Sequence, residues 1–317
     1  MTRIILDTDL AMGAPGSEID DGFALALAHA DPQLQLDLVT TVNGNTDIES
    51  ATLLSVELAE RLGLTDVPIY RGAAAPLTRP DRYRPAPAET VATFSHHSPA
   101  PGYAAVEIAR HVLANPGEIT LVAIGPLTNV AAALCLDRRV ATSVAEIVIM
   151  GGTFLGQTHE TKMPGEFNIW SDPEAAEAVL HSGARLRFVG LDVTLQVRLT
   201  REHAAQMEAA AGGFGAFAGT CTTGWIDRQA ARHPNDPTQA DSCAMHDPLA
   251  VAVVAHPELV TWQDAYVEVV TGEGRARGVM VTDLLNAVDA PPPNCSIATA
   301  VDADGFMSYF LSHISQL

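Results

Sequence analysis

The chain has 317 residues, 47% of them hydrophobic and 18% charged, enough apolar material for one large α/β domain or two small ones. Asp and Glu number 38 against 18 Lys and Arg, a formal charge of −20. So acidic a surface repels nucleic acid and anionic lipid and argues against both as partners, while tolerating a cation or a neutral small molecule.

Four cysteines, Cys135, Cys221, Cys243 and Cys295, form no CxxC pair, which speaks against a disulfide framework or a zinc site. No apolar run is long enough to span a bilayer, and the opening "MTRIILDTD" leaves no room for a signal peptide. A cytoplasmic location is expected. Lys162 is the only lysine and has no GxxxxGK around it, so P-loop chemistry is excluded.

In chain order, "RIILDTD" (3–9), "LQLDLVTTV" (34–42), "VPIYRG" (67–72), "ITLVAI" (119–124), "EIVIMGG" (146–152) and "LRFVGLDV" (186–193) read as buried strands. Between them lie amphipathic stretches such as "NTDIESATLLSVELAERLG", "YAAVEIARHVLANPG" and "SDPEAAEAVLHSG". Apolar strands alternating with helices predict an α/β fold, an open, mostly parallel sheet with helices on both faces. Ligands of such sheets sit beyond the carboxyl ends of the strands. Two segments break the rhythm: 73–102, rich in Pro, Arg and Thr and read as a surface loop or lid, and 211–242, small and helical at first, then polar and turn-rich. No repeat or linker divides the chain, and a single domain over 1–317 is expected.

The stretch "ILDTDLAMGAPGSEIDDGFALALAHA" crowds Asp7, Asp9, Asp20 and Asp21 among apolar and small residues. Asp7 and Asp9 share a parity at the end of the first strand, and Asp20 and Asp21 open the next helix. Capping, or the helix dipole, accounts for Asp20 or Asp21 alone. It does not account for two pairs converging on one mouth, where carboxylates repel unless protons or a cation intervene. Oxygen ligands without cysteine favour Ca²⁺ or Mg²⁺.

This stretch resembles the signature of the inosine–uridine preferring nucleoside hydrolase family, strand–DxDPGxDD–helix, with the connection lengthened to "LAMGAPGSEI". Further matches follow in family order: "TTVNGN" (40–45), "LVAIGPLTNVA" (121–131), "MGG…EFNIWSDPEAA" (150–176) and "MHDPLAVA" (245–252). The resemblance implies Ca²⁺-dependent hydrolysis of the N-glycosidic bond of ribonucleosides to free base and ribose, with water held by the metal as nucleophile. It implies metal ligands Asp9, Asp21, Asp247 and the carbonyl of Ile124. Asp9 would also act as proton acceptor, with Asp7 supporting the cluster from behind. Asp20, Asn45, Glu166, Phe167, Asn168 and His246 would hold the nucleoside, and His246 would take part in catalysis. A family asparagine after "MGG" falls near Glu160. A cytoplasmic homodimer or homotetramer in nucleoside salvage is implied.

Each residue also has a plainer reading. "NGN" is good turn chemistry, Asp247–Pro248 makes a good helix start, and His246 could be a structural histidine. For the base, His96 and His97 in "FSHHSPAPG" are candidates to protonate the leaving group, and Trp225, Arg228 and His233 to contact it, while Trp170 reads as core. Two other functions compete: a calcium-dependent nucleoside or sugar sensor without turnover, and a Mg²⁺-dependent phosphatase of the haloacid dehalogenase type, suggested by "LDTDLA". In "GGFGAFAG" the glycines follow a helical run, which favours close helix packing over dinucleotide binding.

Overall fold

The structure is a computed structural model describing residues 1–79, 88–156, 162–209, 213–285 and 287–317; Glu160 and parts of the 73–102 and 211–242 segments lie outside these. Eleven strands occur among them: β1 (Thr2–Thr8), β2 (Leu34–Thr41), β3 (Ile69–Arg71), β4 (Ile119–Ala123), β5 (Glu146–Met150), β6 (Leu186–Val189), β7 (Arg198–Thr200), β8 (Ser242–Ala244), β9 (Val260–Val269), β10 (Met280–Asp283) and β11 (Cys295–Val301). Nine of them form one sheet in the order β10-β9-β11-β6-β5-β4-β1-β2-β3, and β7 pairs with β8 separately.

From β3 across to β11 every pairing is parallel, and β9 and β10 add antiparallel strands at one edge. Alternation along the central strands feeds two cores. Ile4 and Leu6 of β1, Val122 of β4 and Val148 of β5 join one cluster. Ile5, Leu121 and Ile147, their neighbours in sequence, join the other. With both faces buried, the strands read as nearly unbroken apolar runs. The expected open sheet, parallel in the main and covered by helices on both sides, is what the chain forms.

Connections from β1 run outward through β2 to β3, then return to β4 on the opposite side of β1. The crevice beyond the carboxyl ends of β1 and β4 is thus the switch point at which ligands of open α/β sheets bind. Three expectations are corrected. The sixth strand stops at Val189, because residues Leu191–Thr194 turn into a short helix after Gly190. The 73–102 segment is not simply a loop, since Ala88–Phe94 is helical and Ala100 N–H bonds the Ile69 carbonyl at 2.8 Å. In 211–242 the helix Gly213–Arg232 runs far beyond the small-residue stretch. A Cβ on its Gly219 would lie 2.5 Å from the Ala204 carbonyl oxygen, so this glycine lets the helix lie close against Arg201–Ala209.

The helix Asp20–Ala30, which carries two of the acidic residues, is fixed by Phe23. That ring is fully buried and meets Phe310 edge-on at 5.4 Å and Phe214 at 6.1 Å. Phe23→Ala is expected to lower stability by about 3–5 kcal/mol through the cavity it leaves, read as a shift of the denaturant midpoint; a loss below about 1 kcal/mol would contradict this anchoring role.

Candidate active site

β1 delivers Asp7 and, one residue past its end, Asp9 to the mouth of the sheet. Asp7 faces the same core as Ile5 and is held by the Thr40 hydroxyl at 2.5 Å and the Asn129 amide at 2.8 Å. Its second oxygen, Oδ2, is buried without a hydrogen-bond partner. Burial pushes this carboxyl up to about 7. Asp7 therefore stands behind the mouth, tied to β2 and to the helix Thr128–Leu136.

Thr8 points the other way and donates its hydroxyl to Asp21 Oδ1 at 2.5 Å, so strand β1 grips the helix it leads into. Asp9 lies between the two loops that follow β2 and β4. The Asn45 N–H donates to Asp9 Oδ2 at 2.6 Å, and the Asn45 amide donates to Asp21 Oδ2 at 3.1 Å. A Cβ at Gly44 would collide with the Asp9 carboxylate, and one at Gly125 would come within 3.0 Å of it. The "NGN" sequence is therefore more than turn chemistry: Gly44 lets the backbone approach the acid and Asn45 orients it.

Neither Asp20 nor Asp21 caps its helix. Ile19 occupies that position, with no side-chain capping bond, and both acids sit in the first turn. Asp247 likewise falls inside the first turn of His246–Ala255, behind Met245. These two helix starts meet, and the Asp247 N–H points to Asp20 Oδ2 at 3.4 Å. Asp20, Asp21 and Asp247 each bring a carboxylate oxygen within 4.8 Å of the others, an arrangement that could hold a metal ion. Asp9 abuts Asp21, and the negative charge of Asp21 disfavours ionisation of Asp9. Burial, then mutual repulsion, holds Asp9, Asp20 and Asp247 well above the ordinary carboxylate range.

A cavity with about 510 Å³ of empty space opens above this cluster. It is lined by Asp20, Asn45, Ile124, Glu166, Phe167, Asn168, His246 and Asp247, all expected from the sequence. Glu166 caps the helix Phe167–Ser171 and accepts from the N–H groups of Asn168 at 2.7 Å and of Ile169 and Gly152 at 3.1 Å. Burial nonetheless raises its carboxyl to about 7. The Asn168 amide donates to the carbonyls of Ile124 at 2.9 Å and Met150 at 3.1 Å, joining the ends of β4 and β5. His246 Nδ1 shares a hydrogen bond with Thr194 Oγ1 at 2.7 Å, and burial lowers the ring to about 4. At neutral pH this histidine is uncharged.

The residues expected to meet the base are placed elsewhere. His97 is buried against the helix Ile48–Arg61, with Nε2 at 2.7 Å from Glu57 and Nδ1 at 3.3 Å from Glu60. The His96 ring lies tilted against it, ring centres 4.0 Å apart. Among the described residues lining the cavity are none of His96, His97, Trp225, Arg228 and His233. Trp170, read as core, is half-buried. Conversely, Glu18, Met150, Met163, Gly165 and Leu191 line the cavity without having been singled out. Glu18 sits in the lengthened connection, where the family signature offers no counterpart to read it from.

Comparison with known proteins agrees with this architecture. Residues 4–308 match the model of the family described as inosine-uridine preferring nucleoside hydrolase. A non-specific ribonucleoside hydrolase, RihC of Salmonella newport (strain SL254), is 36% identical over 97% of this chain and 95% of its own. Among solved structures, the plant nucleoside hydrolase PpNRh1 superposes with a TM-score of 0.87 at 27% identity, covering 100% of this chain and 99% of its own. A purine-preferring ribonucleoside hydrolase from Gardnerella vaginalis does so with a TM-score of 0.82 at 27% identity, covering 99% and 98%. An acidic cluster that could hold a metal ion thus lies at the switch point of a parallel sheet, beneath the cavity. The chain belongs to the inosine-uridine preferring nucleoside hydrolase family and is a nucleoside N-glycosyl hydrolase.

Two predictions follow from the geometry. Gly44→Ala is expected to displace the Asp9 carboxylate and reduce turnover at least about 100-fold while the far-ultraviolet spectrum is retained; near-normal turnover would show that Asp9 tolerates displacement. For Glu166 the folded carboxyl is raised, so its contribution to stability is full below about pH 4 and is lost as pH rises through about 7. Wild type is therefore expected to lose more stability between pH 5 and pH 8 than Glu166→Gln, measured by urea unfolding; parallel pH profiles would contradict this.

Proposed function

We propose that this enzyme hydrolyses the N-glycosidic bond of ribonucleosides with the help of a bound Ca²⁺ ion. The observation that carries the reading is the buried, all-oxygen cluster of Asp20, Asp21 and Asp247, beside which Asp9 Oδ1 has no hydrogen-bond partner. That donor set suits a hard divalent cation and offers nothing to a soft one. Asp9, Asp21, Asp247 and the Ile124 carbonyl are the residues assigned to the ion. When bound, the ion supplies positive charge that lets these carboxylates ionise together and acidifies a nearby water.

The chain's own groups then divide the work. Asp9, oriented by Asn45 through Oδ2, presents Oδ1 to take the proton of the water attacking C1′. Asp20, Asn45, Glu166 and Asn168 hold the ribose hydroxyls, and Phe167 closes the wall beside them. His246, neutral and steered by Thr194, keeps Nε2 for a hydrogen bond to the nucleoside. It acts as a positioning group rather than a cationic acid. The anionic surroundings favour the positive charge that develops on the sugar as the base departs. Assembly as a homodimer or homotetramer, a cytoplasmic setting and a role in nucleoside salvage complete the reading.

Incubation with inosine, uridine, cytidine and adenosine is expected to release base and ribose, to stop on chelation and to resume when Ca²⁺ is restored. Asp9→Ala is expected to lower kcat by roughly 100-fold or more. Binding without cleavage of any nucleoside would favour a sensor, phosphate release from nucleotides would favour a phosphatase, and full activity under chelation would remove the ion from the account.

A further inference from the structure

The connection between Asp9 and Asp20 is a built piece of the pocket. Leu10, Ala11 and Met12 are buried, and the Met12 side chain lies so close over Gly22 that a Cβ there would collide with it. The Ser17 hydroxyl is shared by the carbonyls of Ala11 at 2.5 Å and Ala14 at 2.7 Å. Arg228, on the helix Gly213–Arg232, donates to the Gly16 carbonyl at 3.1 Å. Two residues beyond that clamp, Glu18 reaches the cavity wall next to Asp20.

Glu18 has no part in the chemistry assigned above. The sugar hydroxyls already have Asp20, Asn45, Glu166 and Asn168, and the cation has Asp9, Asp21 and Asp247. The oxygens of a carboxylate are hydrogen-bond acceptors. The portion of a nucleoside left without a polar partner is its base, whose ring N–H and exocyclic amine are donors. We infer that Glu18, delivered by the lengthened connection, is a specificity-determining residue that accepts a hydrogen bond from an N–H of the nucleobase. The inference rests on the nucleoside hydrolase reading and deepens it: the preferred substrates are nucleosides whose base carries such a donor. Arg228, expected from the sequence to touch the base, serves it indirectly by fixing the loop that carries Glu18.

The test compares inosine, whose base has an N–H, with 4-nitrophenyl β-D-riboside, whose leaving group has none. Glu18→Ala is expected to lower the ratio of the two kcat/KM values, inosine over riboside, by roughly 10–100-fold, the usual worth of a hydrogen bond to a charged group. Glu18→Gln, of similar size, serves as the second variant, with circular dichroism and thermal midpoint confirming the fold of each. Where neither ligand is cleaved, calorimetric dissociation constants for the same two ligands, in the presence of Ca²⁺, give the ratio instead. If wild type binds both ligands and cleaves neither, the proposed activity falls while the affinity ratio still decides the role of Glu18. An unchanged ratio in both variants overturns the inference, whether the two ligands are equally impaired, as a role at the sugar or the cation requires, or equally unaffected.

Discussion

Everything in this structure turns on the burial of like charges at one end of β1. Asp9 and Asp21 are fully excluded from solvent, and Asp20 and Asp247 are no more than 4% exposed. Carboxylates in such a place cost several kcal/mol each unless something neutralises them. The fold offers partial relief through the two helix starts that meet there, those of Asp20–Ala30 and His246–Ala255, whose N-termini favour negative charge. Burial raises all four carboxyls and so favours their neutral forms in the protein alone. Asp9, Asp21 and Asp247 would ionise together around a divalent cation, and the same arrangement would then suit a reaction that builds positive charge on a sugar.

The sheet order explains why the charges can be brought there. At the switch point, the loops after β1, β2 and β4 diverge to opposite sides and leave a gap that side chains from each can enter. Asp9 comes from the first, Asn45 from the second and the Ile124 carbonyl from the third. The sugar-binding wall follows from the next strand, as Glu166 and Asn168 tie the end of β5 to the end of β4. Distant parts of the sequence are thereby held to one geometry by backbone groups, which vary little with side-chain chemistry.

Much of this was legible beforehand because parallel strands buried on both faces leave continuous apolar runs. All six such runs are strands, with ends shifted by a few residues and the last one shortened by the helix at Leu191. The strands β7, β8, β9, β10 and β11 were missed. In β9 buried Val267 and Val269 flank exposed Glu268, and this antiparallel edge lacks the apolar continuity that marked the centre. The acidic residues were readable from spacing, but their roles as caps were not decided until Ile19 and Met245 were found in the capping positions. His96 and His97 misled because histidines in a Pro-rich segment look free, whereas Glu57 and Glu60 hold His97 from a helix some forty residues earlier in the chain. Glu18 was invisible for the opposite reason: it occupies an insertion, and only packing around Met12, Ser17 and Arg228 reveals that the loop has a fixed course.

The most direct measurement is a crystal structure of the protein grown with saturating Ca²⁺. The account predicts one ion at the mouth of the sheet, within coordinating distance of carboxylate oxygens from Asp9, Asp21 and Asp247 and of the Ile124 carbonyl. A mouth holding no ion under those conditions, with its carboxylates still crowded together and protonated, would contradict it.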